Sequence, residues 1–249
     1  MKKIIVANWK MNPTSAREAR QLFWQIKNKA RKLKGVETVI APPFVYLPLF
    51  RPTSYFKLGA QDVSFADEGA WTGEISTQML RDLKVSYVLV GHSERRELGE
   101  TNDAVHQKLA AALSNGLRAV LCVGEKERSR DAFPALVREE IKSALKGVPR
   151  RFAARTLIAY EPVWAISSRS GGRADTPQNF FEMSIFIRRL VLDLWGKSAA
   201  LKLPILYGGS VNSKNAAGFF GVKSSGGLLV GQASLNPGEF IRILEAASR

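Results

Sequence analysis

Several apolar runs in this 249-residue chain end on side chains able to do acid–base chemistry. One run continues as Asn8-Trp9-Lys10-Met11-Asn12. Strand side chains alternate, so Asn8 and Lys10 are expected on one face, an amide donor beside an ammonium. The pair suits an anionic substrate with a carbonyl, and a strand-end turn with a solvated lysine reads the same way. A later run ends Val90-Gly91-His92-Ser93-Glu94-Arg95-Arg96. Ser93 is expected to cap a helical turn, setting His92 at the positive end of its dipole, where a neutral ring is favoured. A core histidine satisfied by backbone is the alternative. The other histidine, His106, falls in a helical pattern and is expected at the surface. A third run ends Ala159-Tyr160-Glu161-Pro162-Val163-Trp164. A carboxylate there is partly desolvated and a stronger base, or else a structural partner for one of the many arginines. Two glycine turns follow, Tyr207-Gly208-Gly209-Ser210-Val211 and Val230-Gly231-Gln232-Ala233-Ser234. Turns of this kind offer backbone amides to phosphate.

The elements that must position these groups recur along the whole chain. Short β-branched runs lie at 3–7, 38–41, 56–60, 87–90, 119–123, 157–160, 205–207 and 228–230. Most lack strict polar alternation, as parallel strands buried on both faces do. Amphipathic patterns at 15–33, 103–115, 135–145 and 177–195 lie between them. Strand then helix, eight times over, predicts an α/β fold: a (β/α)8 TIM barrel of eight parallel strands, with an open doubly wound sheet as the alternative. No linker composition divides the chain, so one catalytic barrel domain over residues 1–249 is expected. Two connections are long, 62–74 and 165–175, and long loops inside a compact domain are usually functional.

Composition narrows the class. At 45% hydrophobic and 24% charged residues, the chain can build a sizeable core. The first residues carry no long apolar stretch, so neither a signal peptide nor a membrane span is expected. Cys122 is the only cysteine, which excludes an intramolecular disulfide and fits a cytoplasmic location. The net charge of +15 suits either a nucleic-acid partner or a surface that attracts small anions. Lys and Arg are spread along the chain without a nucleic-acid-binding motif, so a solvated basic surface is expected and no nucleic-acid or membrane partner.

Taken together, Asn-Trp-Lys-Met-Asn, Gly-His-Ser-Glu-Arg-Arg, Ala-Tyr-Glu-Pro-Val-Trp-Ala-Ile and Tyr-Gly-Gly-Ser-Val resemble the signature segments of the triosephosphate isomerase family, in the family's order. Gly59-Ala60-Gln61-Asp62, Trp71-Thr72-Gly73-Glu74-Ile75-Ser76 and Leu121-Cys122-Val123-Gly124-Glu125 extend the likeness over essentially the whole chain. The resemblance implies interconversion of dihydroxyacetone phosphate and D-glyceraldehyde 3-phosphate, in glycolysis and gluconeogenesis, without metal or organic cofactor. It implies Glu161 as the base, His92 as neutral electrophile and proton shuttle, and Asn8 and Lys10 as stabilisers of the enediolate and phosphate. Glu94 matches a further active-site carboxylate in contact with Lys10. Phosphate is expected on amides of Ser210, Gly231 and Gln232, with Ser167 from the sixth loop. Trp164 and Tyr207 match lid contacts, and Thr72 matches a residue of the family's dimer interface, which implies a homodimer.

Two departures stand out. Gln232 replaces the second glycine of the usual Val-Gly-Gly turn. The sixth loop reads Ser167-Ser168-Arg169-Ser170-Gly171-Gly172-Arg173-Ala174-Asp175 where the family has a short Gly-Thr-Gly lid. A longer lid is expected to be open without ligand and slower in turnover, because each ordered residue costs about 1–2 kcal/mol. The alternative is thus a phosphate-binding barrel with reduced or lost turnover, kept as a binding protein. Other phosphate-binding barrels, such as Schiff-base aldolases, need a different acid or a lysine at these strand ends.

Overall fold

The computed structural model describes residues 2–127, 134–166 and 175–248. Eight strands close into a barrel in sequence order, every neighbouring pair parallel. They are β1 (Lys3–Asn8), β2 (Val36–Ala41), β3 (Phe56–Ala60), β4 (Val85–Val90), β5 (Arg118–Val123), β6 (Thr156–Tyr160), β7 (Ile205–Tyr207) and β8 (Ser225–Val230). The helices are α1 (Ala16–Ala30), α2 (Thr77–Asp82), α3 (Ser93–Glu97), α4 (Asn102–Ser114), α5 (Ala135–Leu145), α6 (Pro177–Trp195), α7 (Lys197–Lys202), α8 (Ala216–Gly221) and α9 (Pro237–Ala247). Among the described residues, no helix is long and apolar enough to cross a membrane.

The missing polar alternation in the strands has a direct cause: both strand faces are buried. Ile4, Val6, Leu89, Leu157, Ala159 and Leu206 fill the barrel interior. Their sequence neighbours, such as Ile5, Val88, Ile158 and Ile205, face the helices in a second, outer core. The largest miss in strand limits is β8, which starts at Ser225 rather than at 228. Its opening Ser-Gly-Gly carries no apolar signal. Gly227 nevertheless has to be glycine, since a Cβ there would sit 1.8 Å from the Ile4 carbonyl oxygen. The missing side chain is what lets β8 close against β1.

Helix limits follow caps. Ser15 accepts the amide of Glu18 at 3.3 Å and Thr176 accepts that of Asn179 at 3.2 Å, each satisfying a free N–H of the first turn. Helix α1 stops three residues earlier than its periodicity suggests, because Lys32 and Leu33 close i−3 turns onto Lys29 and Ala30. His106 lies on α4 as expected but is half-buried rather than at the surface, its Nδ1 3.1 Å from the Ala144 carbonyl. Contact between α4 and α5 covers that side of the ring. The long connection after β3 folds back on itself: the Ser64 amide donates to the Ile75 carbonyl at 2.8 Å. Within it Phe65 meets Trp71 edge-on at 5.1 Å.

Candidate active site

Alternation delivers three strand ends to one place. Ile4 and Val6 point inward along β1, and Asn8 is next on that face; Leu157 and Ala159 lead to Glu161, and Leu229 to Gly231. These residues open onto a cavity of about 430 Å3 at the carboxyl ends of the strands. That is the end where barrels of this type gather reactive groups, and the volume fits a small-molecule site.

Lys10 reaches the cavity by a different route from the one its spacing suggests. The strand ends at Asn8, and Lys10 has left-handed backbone dihedrals with φ 52°. Such a residue costs about 1–3 kcal/mol unless its surroundings hold it. Here the Asn8 Oδ1 accepts the Lys10 amide at 3.0 Å, and the Gln61 amide group donates to the Lys10 carbonyl at 2.8 Å and the Ala41 carbonyl at 2.9 Å. The turn brings the ammonium to 2.6 Å from Glu94 Oε1.

The cap of α3 is His92, not Ser93. His92 has the extended dihedrals of a cap, while Ser93 is already helical. The His92 Nδ1 accepts the Glu94 amide at 3.2 Å. A ring nitrogen accepts only when it carries no proton, so the proton of the neutral ring sits on Nε2. Nε2 lies 3.2 Å from Glu161 Oε1 and 3.3 Å from the Asn8 Nδ2. Ser93 has another use, donating its amide to Glu161 Oε2 at 3.1 Å. Glu161 is almost fully buried. Gly208 makes room for it, since a Cβ at that position would come within 2.9 Å of the Glu161 Cγ.

A carboxylate, an imidazole, an amide and an ammonium from the ends of three strands, β1, β4 and β6, thus share one cavity. Comparison with known proteins decides the family. A family model described as triosephosphate isomerase matches residues 3–247. The chain belongs to the triosephosphate isomerase family. Curated relatives carrying that name include one from Dictyoglomus turgidum, 40% identical over 98% of this chain and 99% of its own. Another, from Aquifex aeolicus, is 41% identical over 98% of this chain and 99% of its own. A third, from Dehalococcoides mccartyi strain BAV1, is 41% identical over 100% and 98%.

The remaining positions that the family resemblance marks are distributed as follows. Ser210, Gly231 and Gln232 line the same cavity as Glu161 and His92. Gln232 opens a 3-10 turn, Gln232–Leu235, whose dihedrals accommodate a Cβ. Ser167 lies outside the described residues, as does the rest of 167–174. Both flanks of that loop are anchored. The Trp164 indole and the Tyr160 hydroxyl donate to one oxygen of Glu125, at 2.8 and 2.7 Å. On the other side Asp175 accepts the Thr176 amide at 2.8 Å and the Asn179 side chain at 2.9 Å. Tyr207 is buried, and burial together with the nearby Asp175 carboxylate keeps its phenol protonated well beyond the usual range. Thr72 is exposed on the loop after β3. Among the described residues, no three His, Cys, Asp or Glu side chains are grouped to hold a metal ion.

Three supporting residues carry no role in the sequence reading: Gln61, Glu125 and Asp175. The first two stand inside segments that match the family, so a signal existed. Their task, holding a left-handed lysine and a loop flank, becomes visible only in three dimensions. Asp175 falls where the family pattern breaks.

Proposed function

We infer that this cavity interconverts dihydroxyacetone phosphate and D-glyceraldehyde 3-phosphate, the activity of the family, with Glu161 as the base. What supports the reading is one convergence: Glu161 Oε1 at 3.2 Å and Asn8 Nδ2 at 3.3 Å from the same His92 nitrogen. Glu161 takes a proton from the carbon beside the substrate carbonyl, and the electron pair moves onto the carbonyl oxygen. The His92 N–H and the Asn8 amide donate to that oxygen. Preset donors are worth about 2.7–4 kcal/mol each when charge develops, because they need not reorganise. His92 gives its proton to this oxygen and takes one from the neighbouring hydroxyl. Glu161 then returns its proton to the adjacent carbon. The Lys10 ammonium offsets the charge of enediolate and phosphate, and Glu94 holds it in place. Phosphate rests on the turns at Ser210, Gly231 and Gln232.

The assembly is a homodimer of cytoplasmic location. Met11 after β1, Phe65 and Trp71 on the loop after β3, and Met79 on α2 are exposed, Met11 by 89% and Trp71 by 49%. Apolar side chains this open suit burial against a second copy, with Thr72 in the contact.

The test is a coupled assay with glyceraldehyde 3-phosphate. The wild type is expected to turn over, and Glu161→Gln to lose about 10²–10⁴ in kcat. A wild type without isomerase activity would sink the reading.

A further inference from the structure

We propose a second ligand site at the opposite end of the barrel, taking a small organic polyphosphate. A cavity of about 450 Å3 opens there, rimmed by Lys2, Glu37, Arg118, Arg150, Arg151 and Lys202, at or just before the amino ends of β1, β2, β5, β6 and β7. It is about one strand length from the catalytic mouth, on the order of 15–20 Å.

Charge is what sets this cavity apart. Five cations and one carboxylate line it. The carboxylate is already engaged: Glu37 pairs with Arg118 at 3.0 Å and contacts the Tyr87 hydroxyl. Among the described residues, Lys2, Arg150, Arg151 and Lys202 have no carboxylate partner. Elsewhere on this end a lysine is used structurally, as Lys3 donates to the Ser225 carbonyl at 2.8 Å. The four others are exposed and make no such bond, Arg151 lying over the Phe152 ring at 4.8 Å, and like charges gathered round one cavity attract an anion into it.

The floor specifies the rest of the ligand. Ile4, Ala153, Ala199 and Pro204 form an apolar base of mostly short side chains. Bare phosphate would leave that base empty. A flat apolar group carrying two or more phosphates covers it and reaches the rim, where guanidinium groups pair with phosphate oxygens in bidentate fashion. The volume lies in the ~300–1,000 Å3 range of small-molecule sites. The site also gives part of the +15 charge a location and a use.

The probes are ATP, adenosine, inorganic triphosphate and a 20-nucleotide RNA, titrated calorimetrically onto the full chain at about 0.15 M salt. ATP is expected to bind saturably, one per chain, and more tightly than triphosphate or adenosine. Arg150→Ala/Arg151→Ala should weaken ATP by about tenfold or more, the scale of losing one charged hydrogen bond. Lys202→Glu, at an exposed position, gives a second route to the same loss. Lys29→Ala/Lys32→Ala, in the last turn of α1 and just beyond it, and Lys10→Ala at the mouth should each change it by less than about twofold. Isomerase activity of the Arg150/Arg151 variant should stay at the wild-type level, which also shows that it is folded. The proposal is overturned if ATP does not saturate, if both double variants weaken it equally, or if Lys10→Ala abolishes it. It is also overturned if triphosphate binds as well as ATP, or if RNA binds and ATP does not compete.

Discussion

The two ends of the barrel handle charge in opposite ways. At the carboxyl end, Lys10 faces Glu94, and Glu161 rests between the Ser93 amide and the His92 ring. At the amino end, Lys2, Arg150, Arg151 and Lys202 line a cavity whose one carboxylate already belongs to Arg118. The same eight strands build both. The difference teaches what each end is prepared for. Chemistry needs groups fixed in advance, so the mouth spends neighbouring residues on orienting its charges. Capture of an anion needs attraction and little else, so the floor leaves four of its five cations without a carboxylate partner among the described residues.

The strongest way to break the contrast is to remove one charge from each end. Lys10→Met is expected to lower kcat/KM by about 10²–10³, the loss seen when one preset electrostatic group is removed. Arg150→Ala/Arg151→Ala should leave it within about twofold, as removal of exposed, unpaired charges does. A comparable loss in both would mean that the enzyme uses overall charge rather than a fixed ammonium. Gly208→Ala comes next. Its methyl group presses on the Glu161 Cγ, and moving a base by about 1 Å can cost up to 10²-fold. A normal kcat would show that the mouth tolerates slack.

Thr72→Arg sharpens the comparison through assembly. If a partner chain completes the mouth, an unpaired charge in that contact weakens the dimer and turnover falls with dilution, while ATP binding at the floor holds. Sedimentation at micromolar concentration checks this directly. A wild-type mass near 27.5 kDa would refute the dimer.

The smallest expected effect concerns Glu140, buried behind the mouth. Its carboxylate accepts the Gly124 amide at 2.9 Å and lies 3.3 Å from the Arg96 Nε. Burial pushes its pKa up from 4.5 to about 7, against the pull of Arg96. The folded chain therefore keeps this proton at a pH where the unfolded chain has lost it. That contribution is full below about 4.5, falls as pH rises towards about 7, and is flat above. Glu140→Gln should remove this slope, read as urea midpoints at pH 5 and pH 8 for both proteins. An unchanged slope would mean that Glu140 ionises freely in the fold.

Much of the mouth was legible in the sequence because its residues follow strand periodicity. Asn8, Glu161 and Gly231 each sit one step beyond an inward-facing apolar residue, so alternation alone aims them. Alternation puts Lys10 on the correct side, but a left-handed turn held by Gln61 is what delivers it. Hydroxyls are the usual caps, which favours Ser93 at α3; the dihedrals of His92 override that preference. The start of β8 is hidden because Gly226 and Gly227 carry no apolar signal. The amino-end cavity was not legible at all. Its cations come from positions 2, 118, 150, 151 and 202, and only closure of the barrel brings them together.

Glu161, the proposed base, is expected to move a carbon-bound proton at the mouth. The most direct measurement is deuterium uptake from D2O at the carbon beside the carbonyl of dihydroxyacetone phosphate, followed by proton NMR. Wild-type protein should exchange this position and form the aldose. Glu161→Gln should lose at least about 10²-fold of the exchange rate, the lower end of what a positioned base contributes. Exchange in Glu161→Gln above about a tenth of the wild-type rate would contradict the account, because the proton would then be moving to another group.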